Sequence, residues 1–418
     1  MKSLKKEPKK ENTPFEVKVQ AVTMRISKRA QSIEPFFVME VAKAAARLAQ
    51  TLGPDDAPMI HLNIGEPDFT AAPLVQERAI QAIEQGLSQY TPAIGIDPLR
   101  ERISEWYASH FGLDVPSTRI VITAGASSAL QLACLTLIEP GDEILMPDPS
   151  YPCNRHFISA CGGQAQLIAC GAADKFQLSL ASVQAHWSER TRGVLLASPS
   201  NPTGTSVDFE ELRKIHAFVK AQNGITLMDE IYLGLSFGEE AARSALALDD
   251  QIISINSFSK YFNMTGWRLG WLVTPQELVT PLERLAQNLF ICPSAIAQHA
   301  ALACFEPQSL SLFEQRKAAF KSRRDHLVEA LKALGFEVPV QPDGAFYIWA
   351  NCQPLYSALG VNNSWDFTFE LMKRAHIAVA PGRDFGAHDT EHFIRISTAN
   401  SMPQLLQAIT RMKALFKP

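Results

Sequence analysis

Between residues 120 and 273 short β-prone runs alternate with helical patterns, and each run breaks off into a turn of small or polar residues. The runs include Ile120-Val121-Ile122-Thr123, Val194-Leu195-Leu196, Ile225-Thr226-Leu227-Met228 and Ile252-Ile253-Ser254-Ile255. Alternation of this kind predicts an α/β fold, with a largely parallel sheet covered by helices on both faces. In open α/β sheets ligands bind outside the carboxyl ends of the strands. Groups that follow four separate runs are therefore expected to converge on one crevice.

The turn after the last of these runs reads Ser257-Phe258-Ser259-Lys260, with Arg268 eight positions beyond the lysine. A lysine amine forms an imine with a carbonyl when desolvation or neighbouring cations lower its pKa. Ser257 and Arg268 supply donors suited to a phosphate dianion. An aldehyde cofactor carrying a phosphate fits both, and pyridoxal phosphate is the candidate. Asp229 ends the run 225–228, where an unpaired buried charge is costly. A protonated pyridine nitrogen would be its partner; the alternative is a cap for the next helix. Asn201 sits between Pro199 and Pro202 in a rigid turn closed by Gly204, which holds its amide ready to donate to a ligand oxygen. The alternative there is an ordinary strand-to-helix loop. Finally, Ala124-Gly125-Ala126-Ser127-Ser128 joins a strand to a helical pattern, and free N–H groups at a helix start make an anion site. Neither the dinucleotide fingerprint nor the P-loop spacing is present.

These residues, in this order, resemble the class I aminotransferases of the fold-type I pyridoxal phosphate superfamily, of the aspartate aminotransferase-like kind. The resemblance runs from about residue 25 to the C-terminus. It includes Asn63-Ile64-Gly65-Glu66-Pro67-Asp68-Phe69, Gln89-Tyr90-Thr91-Pro92, Asp148-Pro149-Ser150-Tyr151-Pro152, Gly344-Ala345-Phe346-Tyr347 and Phe393-Ile394-Arg395-Ile396-Ser397. It implies Lys260 as the imine-forming lysine and proton carrier, Asp229 on the pyridine nitrogen, and Asn201 with Tyr232 on the phenolate oxygen. Gly125, Ala126, Ser127, Ser257 and Arg268 would contact the phosphate, and Tyr151 would stack on the ring. Arg395 would grip the substrate α-carboxylate as a bidentate fork, with a backbone contact from Gly65. Tyr90 would reach the phosphate of a neighbouring subunit, which implies a homodimer with shared sites.

The implied reaction is ping-pong transfer of an amino group from an L-amino acid to a 2-oxo acid, with 2-oxoglutarate the expected acceptor. A related pyridoxal phosphate-dependent lyase or synthase is the alternative, since fold does not fix reaction. In the related aspartate enzymes a lysine often stands where this chain has Ser127, and the stretch from Gln287 to Ser294 carries no charge either. Neutral donors such as alanine, methionine or an aromatic amino acid are therefore expected.

A net charge of -4 over 418 residues gives no reason to expect nucleic acid or an anionic membrane as partner. No apolar stretch approaches the ~18 residues that span a bilayer. The seven cysteines are scattered without a C-x-x-C pair, which reads as a reduced, cytoplasmic protein without a disulfide frame or metal site. Residues 1–22 are rich in lysine and glutamate and read as a flexible tail. Val38, Val41, Ala42, Ala45, Leu48 and Ala49 describe a helix ahead of Gly65. Phe313, Phe320, Leu327, Leu331 and Leu334 describe a long one ended by Gly335. The expected organisation is an N-terminal segment over 23–70 that contributes to a small domain, a large cofactor domain over 71–305, and a smaller α+β domain over 306–418.

Overall fold

The computed structural model describes residues 24–238 and 242–416. The tail expected over residues 1–22 lies outside the described residues. In chain order the strands are β1 Ile60–His61, β2 Ile120–Thr123, β3 Glu143–Asp148, β4 Gln164–Ala169, β5 Thr191–Ala197, β6 Ile225–Asp229, β7 Ile253–Ser257, β8 Gly270–Val273, β9 Tyr347–Asn351, β10 Ile377–Ala378, β11 Ala380–Pro381 and β12 Phe393–Ser397. β2, β3, β7 and β8 are buried at every position, as strands covered on both faces must be.

A seven-stranded sheet has the order β2-β8-β7-β6-β5-β3-β4. It is parallel but for β8, which runs antiparallel to both β7 and β2. That reversal matters for the crevice. The start of β8 lies at the same edge as the carboxyl ends of its neighbours, so Arg268, just ahead of it, arrives there too. Successive side chains of a strand face opposite ways. Val194 and Leu196 of β5 therefore enter one core with Leu145 and Met228. Leu195 enters the other, with Val121, Leu227 and Ile255.

β11, β12 and β9 form an antiparallel three-stranded sheet. β1 pairs in parallel with β10, and Leu62 just beyond it accepts the Ser397 N–H at 2.7 Å. The long helix spans Pro307–Leu334. Its Phe313 and Phe320 pack in the core that holds Ile120, Ile122 and Trp271. Its Leu327, Leu331 and Leu334 pack in a second core with Ile348, Ile394 and Ile396. Gly335 ends it at φ +103°, a left-handed stop that suits glycine. The helix ahead of Gly65 spans Phe37–Ala49.

Residues 24–34 belong to a separate unit and hold one short helix, Lys28–Ser32, whose Ala30 N–H donates to the Ser27 Oγ at 3.2 Å. All seven cysteines are free. Among the described residues no helix is long and apolar enough to cross a membrane, and no cluster of His, Cys, Asp and Glu is arranged to hold a metal ion.

Candidate active site

β2 stops at Thr123, and the helix Ala126–Leu137 begins just beyond, with Gly125 at its N-cap and φ +87°. A Cβ on Gly125 would run into the Arg268 guanidinium. Only glycine lets that cation lie against the helix start. Arg268 is itself left-handed, at φ 53°, and donates through Nη1 to the Thr265 carbonyl at 3.0 Å. Ser257 closes β7, and its Oγ accepts the Ser259 N–H at 3.0 Å. Ala126, Ser127, Ser257, Ser259, Thr265 and Arg268 all line a cavity of about 470 Å³. Hydroxyls, a guanidinium and the leading N–H groups of a helix together suit a phosphate.

Asp229 is the last residue of β6 and is buried. Its Oδ2 accepts from the Asn154 side-chain amide and its Oδ1 from the Ile231 N–H, both at 3.3 Å. Burial raises its pKa to about 6, against the opposing pull of those two hydrogen bonds and of Lys260. It caps no helix: the next turn, Leu233–Leu235, follows Tyr232 and has no side-chain cap.

The Lys260 side chain reaches into the same cavity, and its Nζ donates to the Gly65 carbonyl at 2.7 Å. Desolvation, then the charges of Arg395 and Arg268, lower its pKa to about 8, while Glu66 and Asp229 oppose them. The Tyr232 and Tyr347 hydroxyls lie 2.7 Å apart. A Cβ on Gly65 would strike the Tyr347 hydroxyl.

Arg395, on β12, is buried. It donates through Nη1 to the Asn201 Oδ1 at 2.9 Å and through Nη2 to the Asn63 carbonyl at 2.5 Å. Its Nε has no hydrogen-bond partner among the described residues. The guanidinium lies 4.4 Å from the Tyr347 ring centre and 4.9 Å from that of Phe385. With its amide oxygen accepting from Arg395, Asn201 has its NH₂ to offer a ligand.

Gly65, Ala126, Ser127, Tyr151, Asn201, Asp229, Tyr232, Ser257, Lys260, Arg268 and Arg395 all line this one cavity, and Gly125 abuts it through Arg268. Tyr90 does not line it; that side chain is 85% exposed. Sequence reasoning gave no role to Asn154, Thr265, Glu66 or Tyr347. Glu66 and Tyr347 fall within two of the segments that carry the family resemblance. Asn154 carried only the weak cue of an amide one turn after Tyr151.

Residues 57–412 match the family described as aminotransferase class I and II. The chain belongs to that family. It is therefore an enzyme. This aminotransferase is 34% identical over 392 residues to the valine–pyruvate aminotransferase of Mycobacterium tuberculosis, covering 94% of this chain and 98% of the relative. The crystal structure of an aminotransferase from Mycobacterium tuberculosis superposes with a TM-score of 0.88 at 34% identity, over 94% of this chain and 99% of that one. The aspartate aminotransferase from Thermus thermophilus with maleate gives 0.86 at 29% identity, over 94% and 100%. The mostly parallel sheet flanked by helices is thus the aspartate aminotransferase-like fold.

Proposed function

We propose that this aminotransferase moves an amino group from an L-amino acid to a 2-oxo acid, with pyridoxal phosphate as cofactor. One observation carries the reading. A lysine of lowered pKa and a carboxyl group of raised pKa share a cavity with a buried arginine fork. Such displaced acidities are what proton-transfer chemistry needs near neutral pH.

The residues fit the cofactor. The Gly125–Arg268 approach leaves a cradle that a Cβ would fill, and the hydroxyls around it suit the phosphate. Asp229 accepts only long hydrogen bonds at 3.3 Å, so a protonated ring nitrogen is the partner it needs. When bound, pyridoxal phosphate supplies the aldehyde carbon that takes the amino nitrogen, and a protonated ring that draws off the electron pair released at Cα.

Everything else is work for the chain. Arg395 holds the α-carboxylate and so fixes which bond at Cα faces Lys260. Lys260, as a neutral amine, would take the proton from the substrate Cα and deliver it to the cofactor carbon that carried the aldehyde. A pKa of about 8 leaves a useful neutral fraction at physiological pH. Asp229 keeps the proton on the ring nitrogen, and Asn201 and Tyr232 donate to the phenolate oxygen. Tyr151 covers one face of the ring.

A homodimer in which Tyr90 serves the partner's site belongs to the same reading, supported by the exposure of that side chain. So does a cytoplasmic location, supported by the free cysteines. A division into a large domain over 71–305 and a smaller one over 306–418 completed by 23–70 is supported by the two cores that the long helix spans. 2-Oxoglutarate as acceptor rests on the family resemblance.

The test is the half-reaction. Purified holoenzyme mixed with single amino acids should release the matching 2-oxo acid and shift the cofactor absorbance to that of its amine form. Release of ammonia with pyruvate, and no need of an acceptor, would instead mark an elimination enzyme.

A further inference from the structure

We propose that the amino donor carries a large apolar side chain, received by a wall built from Phe36, Val38, Met39 and Ile64. The proposal rests on the transamination reading and names the substrate class of that same site.

The cavity holds three cationic side chains, Lys260, Arg268 and Arg395. Each is already committed, to the cofactor aldehyde, the phosphate and the α-carboxylate. Among the described residues no fourth cation lines the cavity to meet a second carboxylate. The segments ahead of the large sheet contribute only apolar side chains on one side, Phe36, Val38, Met39 and Ala42 from the helix Phe37–Ala49 and its cap, and Ile64 beside Gly65. The charged group in this part is Glu66, whose carboxylate accepts the Thr265 hydroxyl at 2.6 Å. A carboxylate there repels an acidic donor and leaves an apolar one indifferent.

Two of the wall residues are conspicuously uncovered: Met39 is 53% and Ile64 40% exposed. Ile64 is also the residue before the carbonyl that Lys260 touches, so the exposed apolar surface begins next to where Cα must lie. A small donor such as alanine leaves it wet. A leucine, methionine or phenylalanine side chain removes it from water, and each buried methylene strengthens binding severalfold.

The wall is also fixed relative to the carboxylate fork. Phe36, at the helix N-cap, offers no side-chain cap. Asp384 supplies it instead, accepting the Phe37 N–H at 3.0 Å and the Val38 N–H at 2.9 Å. The next residue, Phe385, packs under the Arg395 guanidinium. One short segment thus ties the wall to the fork, and the reach from α-carboxylate to side-chain pocket is set by the fold.

The experiment is a donor series on holoenzyme, with kcat/KM measured by 2-oxo acid release. Leucine, methionine and phenylalanine should exceed alanine by at least about tenfold, the scale on which an apolar pocket reads side-chain size, and should exceed aspartate further. Met39→Ala combined with Ile64→Ala should narrow the leucine-to-alanine ratio severalfold; both sites are partly exposed, so the core is left intact. Glu66→Gln should raise aspartate relative to leucine. Aspartate or alanine as the best donor, or an unaltered leucine-to-alanine ratio in the double variant, would overturn the inference alone. Absence of 2-oxo acid from every donor would overturn the transamination reading and this inference with it.

Discussion

Arg395 donates to the Oδ1 of Asn201 at 2.9 Å, so a residue of β12 is locked to the turn that follows β5. The same guanidinium donates to the Asn63 carbonyl, and aromatic rings lie close on it. Its planar fork is therefore preorganised rather than floppy, which lowers what must be ordered when a carboxylate arrives. Arg395→Ala should lower kcat/KM for every amino acid donor alike, since all present the same α-carboxylate. Hydrogen bonds to charged groups contribute about 1.5–3 kcal/mol, or roughly tenfold to 150-fold at 1.36 kcal/mol per decade. A loss restricted to one side-chain class would contradict the role.

Asp229 offers a test in the apoprotein. Its pKa rises from 3.8 to about 6 through burial, so between those values the folded state binds more protons than the unfolded one. Stability then falls as pH rises through that window, and above it the penalty is fully present. Roughly two pKa units at 1.36 kcal/mol each give a penalty on the order of 3 kcal/mol. Asp229→Asn removes it. The apo variant should resist urea better than the wild type at pH 7.5, with the difference shrinking toward pH 4. Its turnover should fall by orders of magnitude. Equal stability at pH 7.5 would mean that the carboxylate is better compensated than its two long hydrogen bonds imply.

Much of this site was legible because buried parallel strands announce themselves as apolar runs, and the residues that break those runs are the ones at the crevice. Asn201, Asp229, Ser257 and Lys260 follow such runs and line the cavity, and Gly125 abuts it through Arg268. The reversed direction of β8 was not readable: four residues carry no mark of direction, and the turn that reverses the chain depends on left-handed Asn263 and Arg268. Pairings between distant segments were equally hidden. Tyr232 meets Tyr347, 115 positions away, and Asp384 caps a helix 346 positions before it. Nothing local to either partner records such a contact.

Gly125→Ala isolates the phosphate cradle. The new methyl would occupy the space that Arg268 fills, and the backbone sits at φ +87°, where L side chains are strained. If Arg268 holds the phosphate as proposed, displacing it removes at least one charge-assisted contact, and the dissociation constant for pyridoxal phosphate should rise about tenfold or more. Equilibrium dialysis of the apoprotein measures it directly. Pyridoxal, which lacks the phosphate, should bind the two proteins far more evenly. An equal loss for pyridoxal would point to general damage to the helix start.

Tyr90 bears on whether the site is shared. It is 85% exposed and absent from the cavity lining of its own chain, yet it lies in a stretch that resembles the family's cross-subunit phosphate contact. If it serves the partner, a chain lacking Lys260 still contributes a good Tyr90, and a chain lacking Tyr90 still contributes a good Lys260. Mixing Tyr90→Ala with Lys260→Ala chains should then rebuild one intact site in each heterodimer. Activity should rise to about one quarter of wild type when equal amounts re-pair at random, because half of the dimers are mixed and each restores one of two sites. Lys260→Ala alone should be inactive, and Tyr90→Ala alone strongly impaired through weaker cofactor binding. Separating differently tagged heterodimers before assay removes the parental background. Purified heterodimers no more active than the Tyr90→Ala parent would assign Tyr90 to its own chain or to no site at all.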